Sequence, residues 1–409
     1  RAALARFAAL LRRREDECAR TLTREVGKPI AQSRNELRAM GGRLDFFLKE
    51  SGAALRAEDI HAEKGLRERI TREPLGVVAN ISAWNYPYFV GSNVFVPALL
   101  TGNAVLYKPS EHAALTGRLI RGLLVEAGVP GDVFALVQGA GRTGARLLEQ
   151  PLDAVFFTGS VPTGRRVAEA AARRLMKVQL ELGGKDPVYA AADVDPERAA
   201  AAVADGAFYN AGQSCCAVER VYVHRRVYAR FLEAFLATVR GFKVGDPMDP
   251  ATYLGPLARA EQLGVLEAQV RDARRKGARL LLGGARLKRP GNWFAPTVLD
   301  RCTHAMSLMR EESFGPVIGL MAVGSDEEAL RLMGDTSYGL TAGVYSASRP
   351  RAERILSRLD AGSAYWNCCD RVSPRLPWTG RRESGLGLTL SREGVSAFLR
   401  PKAWHLRSP

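Results

Sequence analysis

The feature of this sequence that most limits its fold is a series of short apolar runs separated by helical segments. The runs are LGVVANI (75–81), AVLYKP (104–109), VFALVQ (133–138) and AVFFTG (154–159). Strands buried in a parallel sheet read as continuous apolar runs, and neighbouring parallel strands are usually joined by crossover helices. The pattern therefore predicts an α/β fold built on doubly wound parallel sheets.

The alternation continues after residue 184, which indicates a second half of the same kind. PVYAAADVD (187–195) and VERVYVH (218–224) read as strands, and the segment 196–212 between them reads as a helix. Asp195, placed directly before a proline, is a favourable N-terminal cap for that helix. We therefore expect a compact protein with two interleaved halves.

Length and composition exclude several classes of protein. With 409 residues, 46% of them hydrophobic, the chain can bury a large core and is expected to contain two or more domains. It has no run of about 18 apolar residues, so no membrane span is predicted. Six cysteines, in two adjacent pairs and two singles, do not make a disulfide framework and fit a reducing, cytoplasmic setting. Five histidines and no C-x-x-C predict no metal site.

The net charge of +16 raises the question of a nucleic-acid or membrane-surface partner. The basic residues are scattered among acidic ones, and the sequence has no RNP motif, zinc finger or basic arm with interleaved aromatics. An arginine-rich solvated surface explains the charge. We therefore predict no nucleic-acid partner.

Three segments are candidates for holding the phosphates or riboses of a cofactor. GAGRTG (139–144) matches G-x-G-x-x-G, but the next strand ends in FFTGS rather than in the acidic residue that usually accompanies this motif. The Gly-Ser turn in FTGSVPTG (157–164) offers backbone N–H groups at a helix N-terminus. Lys108 and Glu111 follow the second strand, where they suit two ribose hydroxyls. Ordinary turns and solvated loops remain the alternative for all three segments.

Five residues are candidates for chemistry or for orienting it. Cys215 lies beside Cys216 in NAGQSCCAVER, and a cysteine after a small-residue turn is either exposed and reactive or core filler. Glu181 in QLELGGKDP is flanked by leucines, and burial would raise its pKa towards that of a general base. Asn85 in AWNYP is an amide donor suited to an oxyanion. Glu312 in ESFGPV precedes an aromatic residue and a Gly-Pro turn.

Taken together, these segments resemble the NAD(P)-dependent aldehyde dehydrogenase superfamily. The matching blocks are AWNYP, KPSE, FTGS, LELGGKDP, NAGQSCC, ESFGPV and PWTGRRESGLG, in the family's order along essentially the whole chain. The resemblance implies two interleaved Rossmann-like domains and a small β-extension for oligomerisation. It places the cofactor-binding domain in 1–55 and 75–183, the catalytic domain in 184–397, and the oligomerisation strands in 56–74 and 398–409.

The resemblance also implies roles for single residues. Cys215 is the nucleophile that forms a thiohemiacetal and then a thioester, and Cys216 is a packing neighbour. Asn85 and the Cys215 backbone N–H hold the oxyanion, and Glu181 activates the water that hydrolyses the thioester. The implied cofactor residues are Trp84, Lys108, Glu111, Gly159, Ser160, Leu182, Glu312 and Phe314. Because Glu111 would repel a 2′-phosphate, NAD is the expected cofactor and NADP is the alternative.

The substrate stays open at this point. The resemblance places Tyr86, Tyr209 and Trp378 around the aldehyde, close to residues 370–373. Three aromatic side chains suit an aromatic, medium aliphatic or cationic amino aldehyde, and simple core packing explains them equally well. Arg371 would instead favour an acidic semialdehyde. The sequence does not decide among these substrates.

Several positions depart from the family's pattern. Ala83 and Val161 stand where proline and threonine are usual, and PWTG (377–380) stands where Pro-Phe-Gly-Gly is usual. Val94 replaces a residue that is often basic, so a basic proton-relay group is not expected there. Family members also carry a further N-terminal strand-and-helix segment, so the cofactor domain is expected to be incomplete at Arg1.

The remaining expectations concern assembly and a rival function. The segment 65–74 and the tail 398–407 resemble the family's protruding strands, which predicts a homodimer or homotetramer. One rival is a basic nucleic-acid-binding protein, which the net charge of +16 would support. The other rival is a catalytically silent relative, kept as a structural or binding protein. The intact set of Cys215, Glu181 and Asn85 argues against it, because no packing reason demands all three.

Overall fold

The structure is a computed structural model that describes residues 1–408. Its α-helices are α1 (Ala2–Arg13), α2 (Glu15–Val26), α3 (Ile30–Ala54), α4 (Pro87–Leu100), α5 (Ala114–Glu126), α6 (Gly141–Leu147), α7 (Val161–Ala172), α8 (Pro196–Phe208), α9 (Tyr228–Arg240), α10 (Ala260–Arg275), α11 (Asp326–Gly334), α12 (Arg349–Leu356) and α13 (Ser391–Ser396). None of the helices in these residues is long and apolar enough to cross a membrane.

The β-strands include those that the apolar runs predict. They are β1 (Glu58–Glu63), β2 (Leu66–Pro74), β3 (Val77–Ile81), β4 (Ala104–Lys108), β5 (Phe134–Leu136), β6 (Ala154–Thr158), β7 (Lys177–Glu181), β8 (Asp186–Ala190), β9 (Val218–His224), β10 (Arg279–Leu282), β11 (Thr297–Asp300), β12 (Val317–Val323), β13 (Tyr338–Gly339), β14 (Thr341–Tyr345), β15 (Ser363–Trp366), β16 (Arg381–Arg382), β17 (Gly385–Leu386) and β18 (Leu399–Arg407).

The first large sheet contains the four apolar runs of the N-terminal half. Its strand order is β17-β7-β6-β3-β4-β5. All neighbours from β7 to β5 are parallel, and α4, α5, α6 and α7 connect them in turn. The predicted α/β fold with parallel sheets is confirmed, and the carboxyl ends of β3, β4 and β6 share one edge.

The second large sheet has the order β10-β11-β12-β9-β8-β14-β15. Its strands are parallel from β11 to β15, and only β10 pairs antiparallel. Every residue of β8, β9 and β14 is buried. Helices cover both faces of such a sheet, which explains why these strands read as apolar runs rather than as alternating patterns.

The two sheets interlock at the end of β7. The short strand β17 lies in the range that the resemblance gives to the catalytic domain, yet it pairs antiparallel with β7 of the first sheet. Gly385 lies opposite Glu181 in this pairing. The C-terminal part of the chain therefore contacts the strand that carries Glu181, while the domain limits themselves stay a prediction.

Residues 1–55 contain the helices α1, α2 and α3. α2 ends at Gly27, whose φ of +75° gives the left-handed cap that glycine favours. α3 packs against α1, α2 and α4. Its buried residues include the polar side chains of Gln32, Glu36 and Arg43, which lie four and seven residues apart on one face. α3 therefore buries a polar face in addition to its apolar side chains.

A separate three-stranded antiparallel sheet consists of β1, β2 and β18. β2 and β18 confirm the strands predicted in 65–74 and 398–407. They pair over nine residues, from Leu399 opposite Pro74 to Arg407 opposite Leu66. All of β18 after its first residue is exposed, so this sheet is an extension rather than part of either core.

Candidate active site

A cleft of 1060 Å³ opens at the shared edge where β3, β4 and β6 end. Ligands of open parallel sheets bind at this edge. Five of the predicted cofactor residues line the cleft, and they are Trp84, Lys108, Glu111, Gly159 and Ser160. Gly141 and Gly144 of the GAGRTG segment line it too, so this segment forms a wall of the same cleft.

The N-terminus of α7 offers free backbone donors to the cleft. Ser160 is the residue before α7, but its hydroxyl donates to the Thr163 hydroxyl at 3.1 Å and caps no backbone N–H. The first N–H groups of a helix have no partner inside the helix and favour anions. This turn therefore fits the pyrophosphate of a dinucleotide.

Lys108 and Glu111 lie together on the opposite wall. Lys108 Nζ is 3.9 Å from Glu111 Oε2, and the Lys108 side chain is buried whereas that of Glu111 is exposed. Burial lowers the pKa of Lys108. A cation and a carboxylate at this separation match the two adjacent hydroxyls of a ribose.

The loop between β11 and β12 carries Phe314, which contacts Trp84 of the cleft. The Phe314 ring meets the Trp84 ring edge-on, with centroids 5.6 Å apart. Glu312 Oε1 accepts a hydrogen bond from the Gly184 N–H at 3.2 Å. Burial, with Glu219 nearby, raises the pKa of Glu312 to about 8. Leu182 is buried and lies against α7.

The adjacent cysteines Cys215 and Cys216 differ in their surroundings. Cys215 is half-buried, whereas Cys216 is buried and donates from Sγ to Asp370 Oδ1 at 2.9 Å. A hydrogen bond with Cys215, burial and the Asp370 charge raise the pKa of the Cys216 thiol well above its usual range. Cys216 is therefore held as a neutral thiol, which fits the prediction that it packs while Cys215 reacts.

The helix predicted over 196–212 ends earlier than expected. Asp195 caps α8 as predicted, accepting from the Arg198 N–H, but α8 stops at Phe208. Residues 209–212 form a separate turn in which Asn210 and Ala211 have φ of +54°. The prediction was wrong for these four residues, because contacts from distant parts of the chain impose a left-handed turn on a sequence that local propensity would allow to stay helical.

Asn85 lies against the chain that leads to Cys215. Its Nδ2 donates to the carbonyl oxygen of Gln213 at 3.2 Å, and the side chain is buried. An amide has two N–H donors, so the second one is available to a ligand. The Asn210 side chain donates to the same carbonyl at 3.1 Å. Asn85 is thus hydrogen-bonded to Gln213, the residue two before Cys215.

Glu181 is the buried last residue of β7. Burial raises the pKa of Glu181 to about 7, against lowering contributions from a hydrogen bond of the Thr389 hydroxyl, a hydrogen bond of Gln179 Nε2 and the charge of Arg43. A carboxyl group with this pKa accepts protons near neutral pH. The turn that follows it touches Cys215, since a Cβ at Gly184 would lie 2.8 Å from the Cys215 carbonyl oxygen.

The predicted substrate residues Tyr86, Tyr209 and Trp378 differ in their exposure to solvent. Tyr86 stacks on Phe89 with centroids 6.1 Å apart, and the Tyr209 hydroxyl accepts from Asn35 at 3.2 Å. Trp378 is buried, and its backbone N–H donates to the Thr389 carbonyl at 2.8 Å. The first two rings lie close enough to Asp370 for its charge to raise their pKa values, after the larger effect of burial.

Comparison with known proteins identifies the family. The sequence model of the aldehyde dehydrogenase family matches residues 1–404. The chain belongs to the aldehyde dehydrogenase family. A betaine aldehyde dehydrogenase from Cereibacter sphaeroides is 37% identical over 401 residues, which are 98% of this chain and 83% of that protein.

Solved structures of aldehyde dehydrogenases superpose on this one. An NAD-dependent aldehyde dehydrogenase from Sinorhizobium meliloti gives a TM-score of 0.97 at 35% identity, covering 99% of this chain and 81% of that one. A betaine aldehyde dehydrogenase from Staphylococcus aureus in complex with NAD+ gives 0.94 at 31% identity, with coverage of 99% and 81%. This aldehyde dehydrogenase therefore oxidises aldehydes with NAD or NADP as cofactor.

Several residues of this aldehyde dehydrogenase site carry no sequence motif that we recognised. Gln179 was within reach of prediction, because residues two apart on a strand share a face and it precedes Glu181 by two. Thr389 was not, since it comes from 208 residues further along the chain. Gln32 and Glu36 lie far before the site residues in the chain, and only the packing of α3 reveals their contacts.

Proposed function

We propose that Cys215, Asn85 and Glu181 carry out the oxidation of the aldehyde to its carboxylic acid. The observation that carries this proposal is the hydrogen bond of Asn85 Nδ2 to the Gln213 carbonyl, two residues before Cys215. It brings an amide donor to a half-buried cysteine, while the turn after Glu181 touches the same cysteine. These two contacts bring the segments of all three residues together.

The first step is attack of the Cys215 thiolate on the aldehyde carbon. A C–S bond forms, and the π electrons of the carbonyl move to its oxygen. The Asn85 amide and the Cys215 backbone N–H stabilise this oxyanion, and removing one such donor costs about 10²–10³ in rate in comparable sites. The result is a thiohemiacetal on Cys215.

A nicotinamide bound in the cleft would accept the hydride of the former aldehyde carbon. As the hydride leaves, the oxyanion electrons would re-form the C=O bond, which leaves a thioester on Cys215. Lys108, Glu111 and the N-terminus of α7 would hold the ribose and pyrophosphate. Trp84, which lines the cleft and precedes Asn85, contacts Phe314 edge-on. Because Glu111 is a carboxylate, we propose that NAD is preferred to NADP, whose 2′-phosphate it would repel.

Glu181 completes the reaction. It takes a proton from a water molecule, whose oxygen attacks the carbonyl carbon of the Cys215 thioester. The C–S bond then breaks, and the products are the carboxylic acid and the Cys215 thiolate. Burial gives Glu181 a pKa of about 7, which suits a base that must hold a proton briefly and release it near neutral pH.

We propose a cationic aldehyde, with an ammonium or quaternary ammonium group, as the substrate. Asp370 supports this choice, because its carboxylate receives hydrogen bonds from neutral groups, the Cys216 thiol and the Ser214 hydroxyl. It also lies near the rings of Tyr86 and Tyr209, which favour a cation. The relatives described as betaine aldehyde dehydrogenases agree, since betaine aldehyde is a quaternary ammonium aldehyde. Arg371, which would favour an acidic semialdehyde, has an exposed side chain.

The test compares kcat/KM for 3-aminopropanal, butanal and succinic semialdehyde, followed as NADH formation. We expect 3-aminopropanal to exceed butanal by about tenfold or more, the size of a charged hydrogen bond. Asp370→Asn should lower kcat/KM for 3-aminopropanal about tenfold more than for butanal. Arg371→Gln is the matched control and should leave the ratio unchanged. A preference for succinic semialdehyde, lost in Arg371→Gln, would overturn the proposed substrate class but not the aldehyde oxidation.

We also propose a homodimer or homotetramer in the cytoplasm. The exposed antiparallel sheet of β1, β2 and β18 supports assembly, because an exposed strand edge favours pairing with another chain. All six cysteines are free, which supports a reducing compartment. The absence of a nucleic-acid partner stays a prediction.

A further inference from the structure

The buried polar face of α3 contacts both segments that carry the proposed catalytic groups. Gln32 Oε1 accepts a hydrogen bond from the Asn210 backbone N–H at 2.9 Å. Gln32 Nε2 donates to the Tyr253 carbonyl oxygen, also at 2.9 Å. Both ends of the Gln32 amide are therefore used, which fixes its orientation.

The turn that Gln32 holds is conformationally costly. Asn210 and Ala211 both have φ of +54°, and Gly212 has φ of +69°. Left-handed conformations of residues other than glycine cost free energy and persist only where surrounding contacts determine them. Gln32 supplies one such contact to the turn that ends directly before the Gln213 to Cys215 segment.

Glu36 holds the other segment. Its Oε1 accepts from the N–H groups of Tyr88 and Phe89, at 2.9 and 3.3 Å, in the first turn of α4. The side chain of Tyr86, the N-cap residue of α4, makes no capping hydrogen bond. Glu36 therefore caps α4 from a neighbouring helix, with a negative charge at the end that favours one. Asn85 lies directly before this cap.

The two segments that Gln32 and Glu36 contact meet at one atom, the carbonyl oxygen of Gln213. It accepts from Asn85 Nδ2 at 3.2 Å and from Asn210 Nδ2 at 3.1 Å. We propose that Gln32 and Glu36 are positioning residues that fix the Asn85 amide relative to the Cys215 backbone. This inference rests on the proposed roles of Asn85 and Cys215, and it adds that the oxyanion site is set from α3.

A structural role for Glu36 is the competing explanation. Its Oε2 accepts from Lys28 Nζ at 2.6 Å, and both side chains are fully buried. Removing one partner of such a pair leaves an uncompensated buried charge and unfolds many proteins, whereas replacing both by apolar residues is often tolerated. A fair test therefore changes Lys28 together with Glu36.

Two paired variants separate the charge from the hydrogen-bond acceptor. Lys28→Met with Glu36→Gln removes the ion pair but keeps an oxygen for the α4 N–H groups. Lys28→Met with Glu36→Leu removes both the ion pair and the acceptor oxygen. The first variant is called the Gln pair and the second the Leu pair. Thermal unfolding shows that each variant is folded, and kcat/KM for the aldehyde is then measured with saturating NAD.

We expect the Gln pair to stay within about threefold of wild type, and the Leu pair to lose about 10²-fold in kcat/KM, the typical effect of a misplaced catalytic group. Alkylation of Cys215 by iodoacetamide needs no oxyanion donor, so its rate should be equal in both variants. A folded Leu pair with wild-type kcat/KM would overturn the inference. Equal losses in the Gln and Leu pairs would also overturn it, because they would trace the effect to the charge.

The Asn85→Ala background shows whether Glu36 acts through Asn85. If it does, adding the Leu pair to Asn85→Ala should change kcat/KM by less than about threefold, since contacting residues that act as one unit are not additive. Fully additive losses would assign Glu36 a structural role only. If Asn85→Ala itself has wild-type kcat/KM, the proposed role of Asn85 fails, and the inference fails with it.

Gln32 provides an independent test if the Leu pair does not fold. Gln32→Glu keeps an acceptor for the Asn210 N–H, whereas Gln32→Met removes it at similar volume. We expect Gln32→Met to lower kcat/KM about 10-fold or more and Gln32→Glu to recover most of it. Equal kinetics in the two variants would overturn the positioning role of Gln32.

Discussion

At Glu181, burial and hydrogen bonding act in opposite directions on the pKa of one carboxyl group. Burial dominates and brings the pKa to about 7, although Thr389, Gln179 and Arg43 all lower it. The working base is the carboxylate, which is populated above this pKa. We therefore expect the hydrolysis of the acyl-enzyme to rise with pH and level off above about 7, with a rate at pH 6 about tenfold below the plateau. Single-turnover measurements of acid release across pH 5–9 check this.

Glu181→Gln is the control for that profile. It should lower acyl-enzyme hydrolysis about 10²–10⁴-fold and remove the inflection near pH 7. The stability of the fold has the opposite dependence on pH. Folding raises the pKa of Glu181 from 4.5 to about 7, so the folded protein binds more protons than the unfolded one between these pH values. The contribution of Glu181 to the free energy of unfolding therefore falls as pH rises from about 4.5 to about 7. An unchanged inflection in Glu181→Gln would assign the titration to another group.

The neighbouring cysteines make a second prediction at the residue scale. Cys215→Ala should lower NADH formation by at least about 10³-fold, because it removes the proposed nucleophile. Cys216→Ala should stay active and lose about 1 kcal/mol of stability, since it removes a buried thiol from a packed site. NADH formation on an aldehyde panel and thermal unfolding of both variants check this. Loss of activity in Cys216→Ala alone would reverse the two roles.

The site residues show what a single sequence reveals at this scale. Cys215, Glu181 and Asn85 were predicted because a thiol, a carboxyl group and an amide each stand in a short pattern with a chemical reason. Gln32 and Glu36 stand in an ordinary amphipathic helix, and their contacts depend on how α3 packs. Residues that only position other side chains therefore show no recognisable motif in their own stretch of sequence.

At the element scale, helix α5 contains a matched pair of glycines. At Gly122 a methyl group would meet nothing within 4 Å, whereas at Gly117 it would collide with the ring of Pro109. Gly122→Ala should therefore raise the free energy of unfolding by about 1 kcal/mol, the usual gain of alanine within a helix. Gly117→Ala should lower it by about 1–3 kcal/mol and raise KM for NAD, because Pro109 follows Lys108.

Urea unfolding and the KM for NAD distinguish the two α5 variants. A higher KM for NAD in Gly122→Ala, or an unchanged one in Gly117→Ala, would contradict the link between α5 packing and Lys108. Tolerance of Gly117→Ala without loss of stability would mean that α5 can move away from Pro109.

Elements were predictable to the extent that local signals determine them. The apolar runs gave β3, β4, β6 and β9, and Asp195 with its proline gave the start of α8. The end of α8 was not predictable, because the left-handed turn at Asn210 depends on Gln32 from a distant helix. The pairing of β17 with β7 was also hidden, since a two-residue strand has no periodicity to detect.

At the scale of the whole molecule, the two sheets and the α3 helix meet at one place. The cleft lies at the carboxyl edge of the first sheet, Cys215 lies before β9 of the second, and α3 contacts the segments between them. The proposed nucleophile Cys215 and the proposed oxyanion donor Asn85 thus come from different sheets, and α3 contacts the segments that carry them. A change in the relative position of any two should affect catalysis before it affects folding.

The extension of β1, β2 and β18 makes the last prediction. It exposes Ile60 at 58% and Leu406 at 44%, although both lie on strands rather than on loops. Exposed apolar side chains on an unpaired strand edge are typical of a surface that another chain covers. We expect light scattering at micromolar concentration to give two or four times the chain mass of 44.5 kDa.

Ile60→Glu with Leu406→Glu should shift the protein to a smaller species. Leu175→Glu, at a leucine that is 95% exposed outside these strands, should leave the mass unchanged. A monomeric wild type, or an unchanged mass in the double variant, would remove this sheet from the assembly interface.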